Sequence, residues 1–371
     1  MKLQPLVDLL LNNNKIYEYI SLNLTSRDPF SNPKIENYKY SQLNKLDYNK
    51  SLNNIYECDL EVKDNFINNY LLNKKIVEID KKLLSWNFKG PDSALRLAAL
   101  IKNPKLNIYD LDNFKENVCI IDISKYEDLN IEFNYSKKAK LSILLIDSDK
   151  NKNSNPRYIS FNLSKDSEIE ILSINLNKSI SLLFYEFNLS DFSKVNVTTI
   201  QANNLHLRNE FYFNLQSNCS AKISGANFCN SGVNDNYSFM QHSNPNSSSR
   251  EVFKSIVDKG AITNFQGKIY VDSIAQKTDG YQMSKSLLLD DISRCNNKPE
   301  LEIYADDVKC SHGSTVSKID NDLLYYFNSR GINSELAINI LKKAFIKEIL
   351  DSIETLPLRS VSDRIVSNFL S

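Results

Sequence analysis

The residues best suited to chemistry in this 371-residue chain lie in one short stretch near its carboxyl end. Two adjacent carboxylates, Asp306 and Asp307, precede Lys309, Cys310 and His312. In an extended strand, side chains two residues apart share a face, so Cys310 and His312 are expected to point the same way, about 7 Å apart. Asp307 and Lys309 are expected on that face too, where an ammonium group would favour the thiolate. This combination suits ligation of iron or zinc, or a Cys/His nucleophilic pair.

The same stretch also has a plainer interpretation. A thiol and an imidazole two residues apart more often have no metal role, and two consecutive aspartates before a strand more often form a turn whose side chains cap backbone amides. Spacing alone leaves both interpretations open.

Scarce residue types exclude several classes of protein. The eight glycines form no G-x-G, which removes the phosphate-binding loops of P-loop and dinucleotide-binding proteins. A zinc site with three His ligands would need all three histidines, His206, His242 and His312. The six cysteines include no C-x-x-C, the usual signature of zinc ribbons and of many Fe–S clusters. We therefore expect no cofactor held stably by this chain alone.

Charge and hydropathy favour a protein that works away from nucleic acid and membranes. The 45 basic and 45 acidic side chains give a formal net charge of zero, which argues against either surface as the main partner. No stretch of 18 apolar residues occurs, and the N-terminal 20 residues lack a cleavage pattern. We expect a cytoplasmic protein with reduced thiols.

The pattern of helix and strand signals in the sequence changes twice along the chain. Residues 1–75 mix helical and irregular pieces, residues 76–318 contain many short runs typical of strands, and residues 319–371 are helical. Strand runs include 118–123, 141–146, 169–174, 194–200 and 211–213. A mainly β body of this size is a sandwich pair, a propeller or a β-helix. The spacing favours a β-helix of about ten coils with about 20 to 25 residues in each coil.

The helical tail has clear start and stop signals. Gly331 is expected to end a short helix, and Asn333 or Ser334 to cap the next one. Pro357 is expected to terminate that second helix, and residues 360–370 form the last. The apolar face of these helices is expected to close the end of the β-helix.

Several motifs together resemble the SufB/SufD family of Fe–S cluster assembly proteins. The strongest is P-E-L-E-I-Y-A-D-D-V-K-C-S-H-G-S-T at 299–315. The others are S-R-E-V-F-K at 249–254, F-Q-G-K-I-Y-V at 265–271, A-Q-K-T-D-G-Y-Q at 275–282, L-L-L at 287–289, L-Y-Y-F at 324–327 and S-R-G-I at 329–332. Upstream, only E-N-Y-K-Y-S-Q-L at 36–43 resembles a family element.

The residues around the Cys/His motif distinguish the two branches of the family. SufB proteins typically carry Glu after the His of this motif and a C-G-A-H segment upstream. Here Gly313 follows His312 and no C-G-A-H occurs, so the chain resembles the SufD branch.

The resemblance implies a right-handed parallel β-helix between N-terminal and C-terminal helical regions, in a complex with SufB and the ABC-type ATPase SufC. The terminal strands of the two β-helices would pair edge to edge, with Leu301, Ile303, Asp306, Asp307 and Lys309 at this seam. His312 would face SufB and bind a transient Fe–S cluster that both proteins share. Cys310 would be a second, weaker candidate for a metal ligand on the same face.

The family also implies how the ATPase binds. The C-terminal helices would dock SufC through Tyr325, Phe327, Arg330, Leu341 and Phe345, and ATP-driven dimerisation of SufC would open the seam. The chain itself would be a scaffold and not an enzyme, and it could form a homodimer in the absence of SufB. Flavin is attributed to the complex as a whole, and no residue of this chain locates it.

Two other functions compete with this one. A SufB-like homodimeric scaffold would carry its own cluster site, against which Gly313 counts. A β-helix polysaccharide hydrolase or lyase would use Asp306 and Asp307 as acid and base. Adjacent strand residues point to opposite faces, which suits paired carboxylates poorly.

Overall fold

The computed structural model describes residues 74–78, 86–89, 93–103, 105–114, 118–125, 130–148, 156–176, 178–202 and 205–370. The predicted N-terminal region therefore lies almost wholly outside the described residues, and so does the motif at 36–43. Among the described residues, the helix α1 (Ala94–Lys102) precedes the main body, and the side chain of Ser93 caps it by accepting a hydrogen bond from the Arg96 amide.

The described strands form two facing sheets whose members alternate along the chain. One sheet has the order β1-β2-β4-β6-β8-β10-β12-β14-β16 and the other β17-β15-β13-β11-β9-β7-β5-β3. The strands are β1 (Lys74–Glu78), β2 (Lys105–Asp110), β3 (Val118–Asp122), β4 (Asn130–Tyr135), β5 (Lys140–Asp147), β6 (Pro156–Leu163), β7 (Glu168–Asn175), β8 (Ile180–Leu189), β9 (Lys194–Ala202), β10 (His206–Leu215), β11 (Ser220–Cys229), β12 (Val233–His242), β13 (Ser248–Val257), β14 (Ile262–Val271), β15 (Thr278–Leu288), β16 (Arg294–Ile303) and β17 (Val308–Lys318). All pairings from β2 onward are parallel, as between β10 and β12, and β1 pairs antiparallel with β2. Each coil thus adds one strand to each sheet, which makes a parallel β-solenoid of about seven turns.

The coil is longer than the sequence pattern predicted. Registered residues Ile180, His206, Val233, Ile262 and Arg294 are separated by 26 to 32 positions. The prediction of about ten coils of 20 to 25 residues was wrong, and strands whose buried side chains are polar were not recognised in the sequence. In β12, for example, Asn234, Asp235, Asn236 and Ser238 are all buried.

Two side-chain ladders run along adjacent positions of the first sheet. Phe rings stack inside the solenoid with centroids 5.1, 5.2 and 4.4 Å apart, in the order Phe133, Phe161, Phe187 and Phe213. On the opposite face, amide groups donate to one another at 3.0 Å in the order Asn188, Asn162 and Asn134. Because neighbouring strand residues face opposite ways, one register serves both ladders.

The turns that lead from the first sheet to the second are stacked as well. Each has one residue with positive φ, namely Asp166, Phe192, Asn218, Asn246 and Lys277. The amide of each such residue donates to a carbonyl in the next turn, as from Phe192 to Ser217 at 3.0 Å and from Asn246 to Gln276 at 2.9 Å. Ladder hydrogen bonding therefore continues through the turns.

Three helices follow the last strand: α2 (Asn321–Ser329), α3 (Ser334–Asp351) and α4 (Leu356–Leu370). Gly331 at φ 81° ends α2, and Asn333 caps α3 through a 2.8 Å bond from the Leu336 amide, as predicted. The prediction for Pro357 was wrong. It lies in the first turn of α4, where its missing N–H has no helical partner to lose.

The C-terminal helices cover a side of the solenoid and do not close its end. Ile346, Ile349, Val366 and Phe369 form one apolar cluster with outward-facing residues of the second sheet, including Ile200. Among the described residues, no helix is both long and apolar enough to cross a membrane.

Candidate functional site

The carboxyl end of the solenoid presents two edge strands. Within the described part of the chain, β16 pairs with β14 on one side only, and β17 pairs with β15 on one side only. Backbone N–H and C=O groups along both outer edges are therefore available to another strand. Apolar side chains are exposed here too, with Ile303 37%, Tyr304 58% and Val316 52% accessible.

Cys310 lies on the inner face of β17 and is half-buried. It stands opposite Gly280 of β15, and a Cβ built on that glycine would lie 3.2 Å from the Cys310 Sγ atom. The thiol packs against the main core cluster together with Leu301 and Val308. Burial raises its pKa, an effect that hydrogen bonding from the Gly280 backbone partly offsets.

His312 lies two residues further on, on the same face of the strand, and it is exposed. Its register partner in β15 is Gln282. The prediction that the thiol and the imidazole share a face is therefore confirmed by strand alternation. They are the two potential metal ligands of this edge.

The prediction that Lys309 shares the face of Cys310 and favours its thiolate is wrong. Lys309 alternates with Cys310, is exposed, and stands in register with the exposed Asp279. The ammonium group therefore occupies the face opposite the thiol, and burial raises the Cys310 pKa, so the thiol form is favoured. Asp307 lies in the bend before β17 and is not part of that inner face.

Asp306 and Asp307 form the bend between β16 and β17, and both are exposed. The Asp307 carbonyl accepts a hydrogen bond from the Lys277 amide, and its own amide donates to the Gln276 side chain at 2.9 Å. The pair is thus the last member of the stacked turns. This position favours a structural role over an acid–base pair.

Sequence reasoning did not assign a role to two buried polar residues next to the site. Glu251 in β13 and Gln282 in β15 occupy the inner-face column that ends at His312. Gln282 Nε2 donates to Glu251 Oε1 at 3.1 Å, and Ser238 Oγ donates to Glu251 Oε2. Burial raises the pKa of Glu251 to about 7. The signal that could have found Gln282 is the same alternation that paired Cys310 with His312, extended across one coil.

The other two histidines do not lie on the edge strand. His206 and His242 are both buried, and burial lowers the pKa of each to about 3. His242 Nε2 lies 2.9 Å from Ser249 Oγ. Within the described ranges, no three His, Cys, Asp or Glu side chains form a group that could hold a metal ion.

The residues expected to bind a partner through the helices divide into two groups. Tyr325 is 76% accessible on α2, and no residue of that helix is buried. Arg330 is exposed, with its guanidinium 5.3 Å from the Tyr326 ring. Phe327 and Leu341 are half-buried. Phe345 instead packs on the chain's own apolar cluster, beneath the Lys254 ammonium group at 5.4 Å.

This fold and edge define a class of protein: a parallel β-solenoid that ends in two open strands, one of which carries a thiol and an imidazole. Residues 185–345 match the family model described as "SUF system FeS cluster assembly, SufBD core domain". The match begins within β8 and ends within α3. This segment of the chain is similar to the core domain of the SufB/SufD family of Fe–S cluster assembly proteins.

Curated relatives agree with this assignment. The chain is 42% identical over 122 residues to the iron–sulfur cluster assembly protein SufD of Escherichia coli, which covers 33% of this chain and 29% of the relative. It is 41% identical over 133 residues to a SufBD family protein of Synechocystis sp., which covers 36% of this chain and 29% of the relative. A SufBD family protein of Galdieria sulphuraria is 34% identical over 115 residues, 31% of this chain and 52% of that protein. The chain therefore matches about 29% of the length of the first two relatives.

Proposed function

We propose that the chain is a SufD-like, non-catalytic scaffold subunit for Fe–S cluster assembly. The observation that supports this proposal is the position of Cys310 and His312 on β17, the last strand of its sheet, whose outer edge is unpaired among the described residues. The SufBD core match and the SufD relative supply the family context.

The proposed partner at this edge is a SufB-type paralogue. Two edge strands of 10 and 11 residues offer rows of backbone donors and acceptors that a second solenoid can extend. Pairing by strand addition takes its affinity from main-chain hydrogen bonds and its specificity from side chains on alternate positions. The exposed Ile303 and Val316 would then become buried against the partner.

In this proposal, a nascent Fe–S cluster is bound at the seam between the two proteins. His312 and Cys310 supply two ligands at most, so iron with four ligands would take the others from the partner or from sulfide. Rieske clusters use both ligand types, with two imidazoles on one iron and two thiolates on the other. Because burial raises the Cys310 pKa, His312 is the primary ligand in this proposal, and Cys310 ligates once iron displaces its proton.

The proposed ATPase-binding surface consists of α2 and the first turns of α3. Leu323, Tyr325, Tyr326, Leu336 and Ile340 are exposed there, between 38% and 76% accessible. Contiguous exposed apolar side chains of this kind mark interaction surfaces. A SufC-type ATPase bound here would be tied to the solenoid through α3, whose far half packs on the second sheet.

Iron loading tests the ligand assignment. The chain is co-expressed with a SufB-type paralogue and a SufC-type ATPase, and the His312→Ala variant is compared with the wild type and with Ser314→Ala, the next inner-face position of β17. We expect all three complexes to assemble and only His312→Ala to lose most of its iron. Unchanged iron content and cluster transfer in His312→Ala would remove His312 from the site. Recovery of the wild-type chain alone, or only as a homodimer, would contradict the paired scaffold.

A point variant tests the ATPase surface more cleanly than truncation, because deleting the helices would also uncover the apolar outer face of the second sheet. Tyr325→Ala is expected to abolish co-purification of the ATPase, with no loss of thermal stability. Tyr304→Ala, which changes another exposed tyrosine next to the edge strand β16, is the control and should retain the ATPase. Retention by Tyr325→Ala would refute this docking surface.

A further inference from the structure

A column of inner-face side chains leads along the second sheet to the proposed iron ligand. It runs through Ile223, Glu251, Gln282 and His312 in β11, β13, β15 and β17, each in register with the next. The column changes from apolar to polar over its last three members. Such a change inside a core requires a hydrogen-bonding partner for every polar group.

Gln282 does not meet that requirement at one atom. Its side chain is fully buried, and its Nε2 donates to Glu251 Oε1 at 3.1 Å, while its Oε1 is buried with no partner. When it is ionised, the Glu251 carboxylate can only accept, so it fixes which end of the amide faces β13. The carbonyl oxygen is thereby left for another donor.

We propose that Gln282 is a positioning residue for His312: its carbonyl oxygen accepts a ring N–H of His312 and directs the other ring nitrogen toward the seam. Paired strands lie about 4.8 Å apart, so registered side chains on one face reach each other. Imidazoles that ligate metals commonly donate their second N–H to such an acceptor, which fixes the tautomer and the ring orientation. This inference rests on the proposed ligand role of His312.

Packing from the opposite sheet holds the Gln282 amide in place. Gly267 of β14 lies against it, and a Cβ at that position would overlap both Nε2 and Cδ of Gln282. Gly267→Ala therefore displaces the amide without changing any hydrogen-bonding group. Gly225→Ala is a matched control, because a Cβ there would overlap the Phe253 ring, elsewhere in the same core.

The test is nitrogen NMR of the full chain labelled at histidine, at a pH of about 8 where an ordinary imidazole is neutral. Only three histidines occur, and the spectrum of His312→Ala assigns the third. In the wild type, we expect one dominant His312 tautomer and a ring N–H that exchanges slowly with solvent. Gln282→Met and Gly267→Ala should lose both signatures, whereas Gly225→Ala should keep them.

Two results would overturn the positioning role. One is a wild-type His312 spectrum in Gln282→Met, which would mean that water or another group accepts the ring N–H of His312. The other is loss of the signatures in Gly225→Ala, which would trace the effect to general strain.

Iron measurements separate this inference from the proposed function. In the assembled complex, Gln282→Met should weaken iron retention by about 10-fold, the lower range for an outer-shell partner. If Gln282→Met removes the slow ring N–H but His312→Ala leaves iron loading unchanged, the positioning contact stands and the proposed ligand role fails. If Gln282→Met leaves the His312 tautomer unaffected while His312→Ala loses iron, the proposed ligand role stands and the positioning contact fails.

Discussion

Replacing the buried Glu251 by Gln should make the stability of the solenoid less sensitive to pH. Glu251 is fully buried, and burial raises its pKa from 4.5 to about 7 although hydrogen bonds from Ser238 and Gln282 oppose this. Gln has the same shape and can keep both hydrogen bonds, because the Ser238 hydroxyl can also accept. The substitution therefore removes the charge with little change in packing.

The direction of the effect follows from the raised pKa. Below about pH 4.5 the carboxyl is neutral in the folded and the unfolded chain, so the wild type bears no penalty from the buried charge. Above about pH 7 the carboxylate is ionised in both states, and the folded state bears the full penalty. With about 1.4 kcal/mol for each pKa unit, the wild type should lose about 3 kcal/mol across this range relative to Glu251→Gln.

The assay is urea denaturation of both proteins at several pH values from about 4 to 9, a range that brackets both pKa values. The quantity of interest is the difference between the two proteins, because titration of all other groups cancels in it. Ser284→Ala, another buried polar position of the inner face, is the control and should show a difference independent of pH. A Glu251→Gln difference that is constant across the range would refute the argument from burial.

Three further variants probe other parts of the molecule. Arg157→Met should destabilise the chain by about 3 to 5 kcal/mol in denaturation experiments, because it leaves the buried Asp147 carboxylate without the guanidinium that pairs with it; a loss below about 1 kcal/mol would contradict this. Ile349→Ala should cost about 2 to 5 kcal/mol and speed hydrogen exchange in the C-terminal helices, and exchange that accelerates only in the strands would be inconsistent with the packing. Gly280→Ala places a Cβ 3.2 Å from the Cys310 Sγ atom and should push the thiol outward, so that alkylation of Cys310 becomes faster; slower or unchanged alkylation would count against the predicted displacement.

Four strands of the second sheet, β3, β5, β7 and β9, could be recognised from apolar runs in the sequence, whereas strands such as β12 could not. Runs such as 141–146 and 169–174 are apolar on both faces because the C-terminal helices cover their outer side. In β12, by contrast, Asn and Ser side chains face inward and satisfy one another, as Asn236 does with Gln201 at 3.0 Å and 3.2 Å. Hydrophobic periodicity cannot report a buried position that is polar, so strands such as β12 were not recognised.

The candidate site was predictable to the same limited extent. Strand alternation placed Cys310 and His312 on one face, and the structure confirms it. The same rule, applied consistently, would have excluded Lys309. The contact between Glu251 and Gln282 joins residues 31 positions apart. Nothing local in either segment specifies that register.

The sequence by itself determined several strand-forming segments of the second sheet, the N-cap of α3 and the identity of the chemical groups at 310 and 312. Only the tertiary structure decided that β17 lies at an open edge, that Gln282 stands opposite His312, and that the C-terminal helices cover a side of the solenoid. The physical reason is that strand periodicity is a local property of two residues. Register in a solenoid depends instead on packing and turn length over a whole coil of 26 to 32 residues.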